Sequence, residues 1–453
     1  MYQEVPTMQP VDRRRFLQGT LGASAALSVT GSAAPSDKII LGIMGVGGRG
    51  RLLLQSLVKR SDVRIKYICD ADRGAYGPAA AIVMDRRDEK PVFVQDFRRM
   101  LEDPEVDGIV IATSDRWHAL GTIMACQAGK DVYVEKPLSL SIWDGRKMVE
   151  AARKYKRVVQ VGTQSRSAPY TDKATDYIRS GKLGDVYLVR VFLMQESPPI
   201  KVPAPEPVPE GLDYDLWCGP SPMLPYRRGR WFWRHWDFYI GYIMADMTHQ
   251  IDLARHLIGK TYPETVCNAG GVYQFDDGRE QPDTQFATLE FGKLTMLFEG
   301  CLQSPYMHRI VHVKDPSRFP DWPFSSTRLE VCGTKGFMAF GRHGGGYQVF
   351  EGDKTTRTST AVVSEPSTVK FGAIVDVHFE DFLNCIRTRQ KPNADVEEAH
   401  YSNLLCHLAN ISYRVGNRKL RFDGKTESFV EDDEANRYLR ANYRKPWVIP
   451  ENV

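Results

Sequence analysis

Nowhere in the 453 residues does an uninterrupted apolar run reach the ~18 residues that a membrane-spanning helix needs. No membrane anchor is expected. The eight cysteines (Cys69, Cys126, Cys218, Cys267, Cys301, Cys332, Cys385 and Cys406) are scattered, and none forms a Cys-x-x-Cys pair. That excludes the common zinc-site spacings and a dense disulfide framework. Charge of one sign is equally scarce. Sixty Lys and Arg against 56 Asp and Glu leave a formal net charge of +4 with no basic block, so nucleic acid is not an expected partner. His343-Gly344-Gly345-Gly346 has the composition of an esterase oxyanion loop, yet the chain holds no Gly-x-Ser-x-Gly elbow to serve it. A serine-hydrolase triad is excluded, and the glycine run is expected to be a turn between strands.

What is present is the balance of a globular protein, 42% hydrophobic and 26% charged, with a length suited to two or three domains. The first 34 residues stand apart. Arg13-Arg14-Arg15-Phe16-Leu17 precedes a short, mildly apolar run from Leu21 to Val29, which ends in Gly31-Ser32-Ala33-Ala34. A basic start, a short apolar stretch and a small-residue end describe an export signal, here with the Arg-Arg-x-Phe-Leu core of the twin-arginine type. The mature protein is expected in the periplasm or outside the cell.

From Lys38 the pattern changes. Apolar runs at Ile39–Met44, Val63–Cys69, 108–112, 131–134 and 158–162 alternate with helical stretches, the signature of a parallel doubly wound sheet over 38–164. Beyond it, 165–453 is expected to form a second domain, for substrate and oligomer contacts. Its strands are read at 186–194, 265–275, 284–291, 294–301 and 327–340, and its helices at 374–388 and 396–415. The Pro-rich, aromatic segment from Ser197 to about Trp236 is too long for a passive connector and reads as a cover or arm.

Gly45-Val46-Gly47-Gly48-Arg49-Gly50 follows the first predicted strand directly. Glycines there permit a tight turn and a close approach to a pyrophosphate, which the next helix's N-terminus attracts. Asp70, twenty positions after Gly50, ends the second strand and suits the ribose diol of NAD. Arg73 nearby leaves room for NADP. Gly45, Gly47, Gly48, Arg49, Gly50 and Asp70 are therefore candidate cofactor residues.

Glu135-Lys136-Pro137 ends another strand, at the sheet edge where open α/β folds bind ligands. A lysine partly dried in such a cleft loses basicity and becomes able to take a hydroxyl proton; the plain alternative is a surface lysine in a turn. In 241–252, Asp246, His249 and Asp252 recur every third residue, and His256 continues their face if the segment is helical. His249 with a carboxylate neighbour suits acid–base chemistry, a metal cluster or a simple ion-paired helix face.

In this order and spacing, the glycine turn, Thr113-Ser114-Asp115-Arg116-Trp117-His118-Ala119, Glu135-Lys136-Pro137, Val161-Gly162-Thr163-Gln164 and the Asp/His helix resemble the glucose–fructose oxidoreductase/inositol dehydrogenase/MocA (Gfo/Idh/MocA) family. The resemblance covers nearly everything after the signal. It implies a C-terminal α/β domain with a large, mostly antiparallel open sheet. It also implies Lys136 and His249 beside the nicotinamide, and cofactor contacts from Thr113, Asp115, His118, Glu135, Lys136 and Gln164. Many members carry an Asp four residues before the helix histidine, where this chain has Ala245. Asp246 points about 100° away from that position on a helix and is kept as a candidate catalytic residue with Lys136 and His249. No metal is required.

In the arm, Arg230, Trp231, Trp233 and His235 are candidate substrate residues, because aromatic faces suit sugar C–H surfaces and arginines suit anions. The same aromatics would serve equally as core or as an oligomer contact. The reading is an NAD(P)-dependent oxidoreductase acting on a sugar hydroxyl. Export of a folded, loaded enzyme favours a tightly retained cofactor; a homo-oligomer, dimer or tetramer, is also expected, and no nucleic-acid partner. One alternative is glycoside cleavage by transient oxidation, elimination and re-reduction, although the His-Gly-Leu-Gly-Pro stretch of the NAD-dependent N-acetylgalactosaminidase branch is absent. The other is a non-catalytic carbohydrate sensor that has kept the fold.

Overall fold

The computed structural model describes residues 38–85, 90–308, 319–352 and 359–453. The export signal read at 1–34 lies outside the described residues.

The first sheet forms from short runs: β1 (Ile39–Met44), β4 (Gly108–Ile111), β5 (Asp131–Val134) and β6 (Val159–Val161) are almost wholly buried, β2 (Val63–Cys69) is partly so, and the edge strand β3 (Val92–Val94) is largely exposed. All its pairings are parallel, in the order β3-β2-β1-β4-β5-β6. The order reverses between β1 and β4, so a crevice opens above their carboxyl ends. Helix α1 (Gly48–Leu57) starts there, directly after the glycine turn.

The second sheet has ten strands. They are β7 (Val186–Met194), β8 (Thr265–Gly271), β9 (Thr284–Glu290), β10 (Thr295–Cys301), β11 (Arg328–Gly333), β12 (Gly336–Gly341), β13 (Gly346–Gly352), β14 (Ser359–Glu365), β15 (Leu420–Asp423) and β16 (Ser428–Phe429). Their order is β14-β13-β12-β11-β7-β10-β9-β8-β15-β16, antiparallel except where β7 meets β10. The fold is α/β, a Rossmann-type parallel sheet followed by a large, mostly antiparallel one. The run expected over 327–340 is two strands, because Thr334-Lys335 turns the chain between β11 and β12. His343 to Gly345 is a turn between β12 and β13, as its glycines predict.

Along β10, Met296 and Phe298 are buried while Leu297 and Glu299 stay half-buried, the period-two pattern of a sheet with one covered face. The cover is two long helices, α2 (Tyr242–Ile258) and α4 (Val396–Arg414), which pack on the sheet and on each other. A third, α3 (Phe371–Thr388), turns back to the first sheet and buries Phe379 and Phe382 against Tyr133. Arg389, just past its end, holds Asp131 at the start of β5 through two hydrogen bonds of 2.6 and 2.9 Å. Residues Ile39–Val453 thus form one compact unit containing both sheets. Among the described residues no helix is long and apolar enough to cross a membrane.

Candidate active site

The glycine turn is built by close approach. Gly45 has φ +85°, and a Cβ there would lie 2.8 Å from the Ala112 carbonyl and the Thr113 nitrogen. At Gly50 a Cβ would meet the Gly45 carbonyl oxygen at 1.9 Å. Gly47 and Gly48 face open space instead. The first turn of α1 carries no acidic residue and no capping side chain, so its N–H groups remain available to an anion. Asp70 braces the turn: its carboxylate accepts from the Val46 N–H (2.9 Å) and the Asp72 N–H (3.0 Å). Burial raises its pKa.

A cavity of about 310 Å³ lies here, walled by Gly45, Gly47, Asp70, Thr113, Arg116 and Trp217 among others. These residues fit NAD. The donors of α1 suit the pyrophosphate and the Asp70 carboxylate suits a ribose diol. Arg73, close by in the chain, donates through its Nε–H to the Gln95 side chain at 2.8 Å.

Glu135, just after β5, ties that strand end to Arg49 of the glycine turn. It receives Arg49 at 2.8 Å, the Gln164 amide at 3.1 Å and the Lys136 N–H at 3.2 Å. Gln164 also donates to the Tyr133 hydroxyl at 2.8 Å. The two ring nitrogens of His118 face the carbonyls of Pro137 (2.7 Å) and Thr113 (3.2 Å), so that side chain secures the two loops. Asp115 is buried, and its Oδ2 has no hydrogen-bond partner among the described residues. Burial pushes its pKa up to about 6, against the pull of His118 and Lys136.

Lys136 reaches across to α2. Its Nζ donates to the Ala245 carbonyl (3.0 Å) and lies 3.7 Å from Asp246 Oδ1. Burial holds its pKa below the usual lysine range despite Asp246, and Arg342 pulls it further down. His249 is buried one turn along; burial, Arg342 and Lys136 keep it well below the ordinary histidine range. The imidazole is therefore neutral near pH 7, and its Nδ1 has no hydrogen-bond partner among the described residues. Ala245 supplies only its carbonyl where many family members have a carboxylate, and Asp246 reaches Lys136 from the next position. Asp252 does not join this group. Arg166 binds it through bonds of 2.7 and 2.9 Å and Ser402 donates at 2.6 Å, so it locks α2 to its neighbours. No group of three or more metal-ligating side chains occurs among the described residues.

Arg342 was not legible in the sequence. It follows β12, is buried, and donates to Asp246 Oδ1 (3.3 Å) and Gln250 Oε1 (2.9 Å). Arg116 was missed as well. It is buried, it donates to the Trp217 carbonyl at 3.0 Å and lies 4.4 Å over that indole, and its Nη1 has no hydrogen-bond partner among the described residues.

A second cavity, about 510 Å³, is lined by the arm and the start of α2. Arg230 and Trp233 line it, together with Tyr239 and Tyr242. Trp231 and His235 do not: the Trp231 indole is buried and donates to the Arg227 carbonyl, and the His235 ring faces Glu280 at 3.1 Å. Those two build the arm's own packing. Tyr242 joins this cavity to the Lys136 cluster, because it opens α2, the helix that carries Ala245, Asp246 and His249.

Comparison with known proteins adds three matches to family models. Residues 39–163 match "Oxidoreductase family, NAD-binding Rossmann fold", 171–339 the "GFO/IDH/MocA C-terminal domain" and 366–449 "Oxidoreductase family, C-terminal alpha/beta domain". An uncharacterized oxidoreductase of Bacillus subtilis, YrbE, is 25% identical over 306 residues, 67% of this chain and 74% of that protein. A glycosyl hydrolase family 109 protein of Stenotrophomonas maltophilia is 33% identical over 145 residues, 30% of this chain and 32% of that protein. The structure of levoglucosan dehydrogenase in complex with NADH and levoglucosan superposes with a TM-score of 0.63 at 18% identity, covering 85% of this chain and 99% of that one, a likeness of fold. The chain belongs to the Gfo/Idh/MocA family of NAD-binding oxidoreductases.

Proposed function

We propose that the protein oxidises a hydroxyl of a carbohydrate-like substrate, with Lys136 as the base. One observation carries this reading: a lysine of lowered basicity follows the end of β5, at the carboxyl edge of the parallel sheet, and meets α2, the helix whose first residue lines the aromatic cavity. Neutral Lys136 takes the hydroxyl proton as the carbinol C–H bond breaks. The Ala245 carbonyl and Asp246 orient the ammonium so formed. His249, neutral and with Nδ1 available, is the second group able to hold a proton at the substrate. Bound NAD+ supplies the hydride acceptor.

The reading includes a tightly retained cofactor, and the arm supports it. Gly211 accepts from the Arg73 N–H (3.1 Å) and from Gln95 (2.9 Å), while the Asp213 N–H donates to Ala71 (2.9 Å). Trp117 donates to the Leu216 carbonyl at 2.8 Å, and Arg116 holds Trp217. Residues 211–217 are thereby stitched beside the dinucleotide cavity, with Leu216 and Trp217 forming part of its wall. The Arg-Arg-x-Phe-Leu core at Arg13–Leu17 supports export by the twin-arginine route. The half-buried outer face of the ten-stranded sheet is where we place a homo-oligomer contact.

The likeness to the family 109 hydrolase favours a second reading, net glycoside cleavage by transient oxidation, elimination, water addition and re-reduction. One experiment separates the readings. The purified protein is denatured to identify released dinucleotide by mass, and the native protein's nicotinamide absorbance is followed while sugars and aryl glycosides are added. Stoichiometric NAD that is reduced in place supports the oxidoreductase; aglycone release without net reduction supports cleavage. Lys136→Met should keep the dinucleotide bound and lower turnover by about 10²–10⁴-fold. Full turnover in that variant removes Lys136 from the mechanism, and binding of sugar without any absorbance change would leave a sensor.

A further inference from the structure

The larger cavity has a one-sided charge. Four cationic side chains line it, Lys201, Arg228, Arg230 and Arg279, and no acidic one does. Two of the four are neutralised from behind. Arg228 pairs with Glu206 at 2.9 Å, and Arg279 pairs with Asp277 through contacts of 2.9 and 2.5 Å. Arg230 and Lys201 have no carboxylate partner among the described residues. Charges of one sign at the mouth of a cleft with apolar walls concentrate the opposite charge there.

Arg230 is also placed for recognition. Its guanidinium lies 4.4 Å over the Trp233 indole. A stacked guanidinium keeps its plane and presents a fork of in-plane N–H donors, the geometry that reads a carboxylate or phosphate through two parallel bonds. On the far side Trp233 stacks on Tyr239, centroids 5.1 Å apart and 17° between planes. Trp233, Tyr239 and Tyr242 form the aromatic wall, and Tyr242 opens α2, the helix that carries Asp246 and His249. Pro198 and Pro199 line the same cavity and stiffen its rim.

We propose that this cavity binds a sugar bearing a negative charge, its ring against Trp233 and Tyr239 and its anion on Arg230 and Lys201. This rests on the carbohydrate oxidoreductase reading above and adds the charge class of the substrate. Apolar C–H faces of a sugar fit the aromatic wall. A neutral sugar would leave Arg230 and Lys201 without a counter-charge, whereas an acidic one supplies it. A cavity of about 510 Å³ falls within the ~300–1,000 Å³ of small-ligand sites.

The test uses the NAD-loaded protein and calorimetric titration with glucuronate, galacturonate and glucose 6-phosphate against glucose and galactose. The acidic sugars should bind at least about tenfold tighter than the neutral ones, with an advantage that shrinks as salt is added. Arg230→Gln should erase most of that ratio while Arg230→Lys keeps part of it. Preference for the uronates or for the phosphate identifies which acid is read. Equal binding of neutral and acidic sugars, no binding by any acidic sugar, or a ratio unchanged in Arg230→Gln overturns the proposal. Nicotinamide reduction by neutral sugars with no charge preference would sink this inference and leave the oxidoreductase standing. An Arg230-dependent preference without any reduction would do the reverse.

Discussion

Arg342 brings a permanent charge to the site where Lys136 and His249, on the proposed reading, handle protons in their neutral forms. Its guanidinium lies on Asp246 and Gln250, and it adds to burial in pulling both Lys136 and His249 down. Lys136 serves as a base only when deprotonated, so oxidation should rise with pH through its lowered pKa and level off above it. Arg342→Gln removes one downward pull, Lys136 becomes easier to protonate, and the acid limb of the kcat/KM profile should move to higher pH. Each unit of displacement is about tenfold in activity on that limb. Arg342→Lys should restore most of the original position, and NAD affinity, measured by fluorescence titration, should hold. A uniform loss at every pH would mean that Arg342 only supports the fold. Asp246, one position past the family's usual carboxylate, makes sense in this frame: Arg342 fixes it within 3.7 Å of the Lys136 ammonium.

At the scale of elements, the stitched segment 211–217 is the part of the arm with the clearest task. Trp217 walls the dinucleotide cavity, and Arg116, which lines the same cavity, holds the Trp217 carbonyl and lies over its indole. Trp217→Ala should speed release of bound dinucleotide by about tenfold or more, read by chasing with excess free cofactor, while the Lys136 chemistry within one loaded turnover stays unchanged. A release rate equal to wild type would show that retention comes from elsewhere. This segment also marks where the sequence stops being informative. Gly45 to Gly50 and Asp70 were readable because their spacing along one strand–turn–helix–strand unit is the constraint itself, whereas Lys136 was picked out by its place at a strand end and by the family resemblance. The parallel sheet was readable because its buried strands are continuous apolar runs. Arg342 meets Asp246 across 96 positions and Arg116 meets Trp217 across 101, and such contacts leave no local period. Trp231 and His235 show the converse. They have the composition of a sugar site but are consumed by packing and by Glu280, and composition does not report which way a ring points.

For the whole molecule, the export reading and the enclosed cofactor belong together. A twin-arginine route carries folded proteins, and a stitched cofactor site is complete only once the arm has packed. Arg13→Lys with Arg14→Lys should leave the protein in the cytoplasm, with its dinucleotide bound, when cell fractions are compared. Unaltered export would remove the signal reading and with it one reason for cofactor retention. The packing of α3 has a further bearing on how the chain is made. Phe379 and Phe382 cover Tyr133 on the first sheet, and Arg389 clamps Asp131, yet these residues are synthesised more than two hundred positions after the strands they cover. At ribosomal speed the part of the parallel sheet around Tyr133 waits on the order of ten seconds or more uncovered. The order of synthesis and the order of completion run opposite ways, so the nascent sheet is a natural client for a holding chaperone until its last helix arrives.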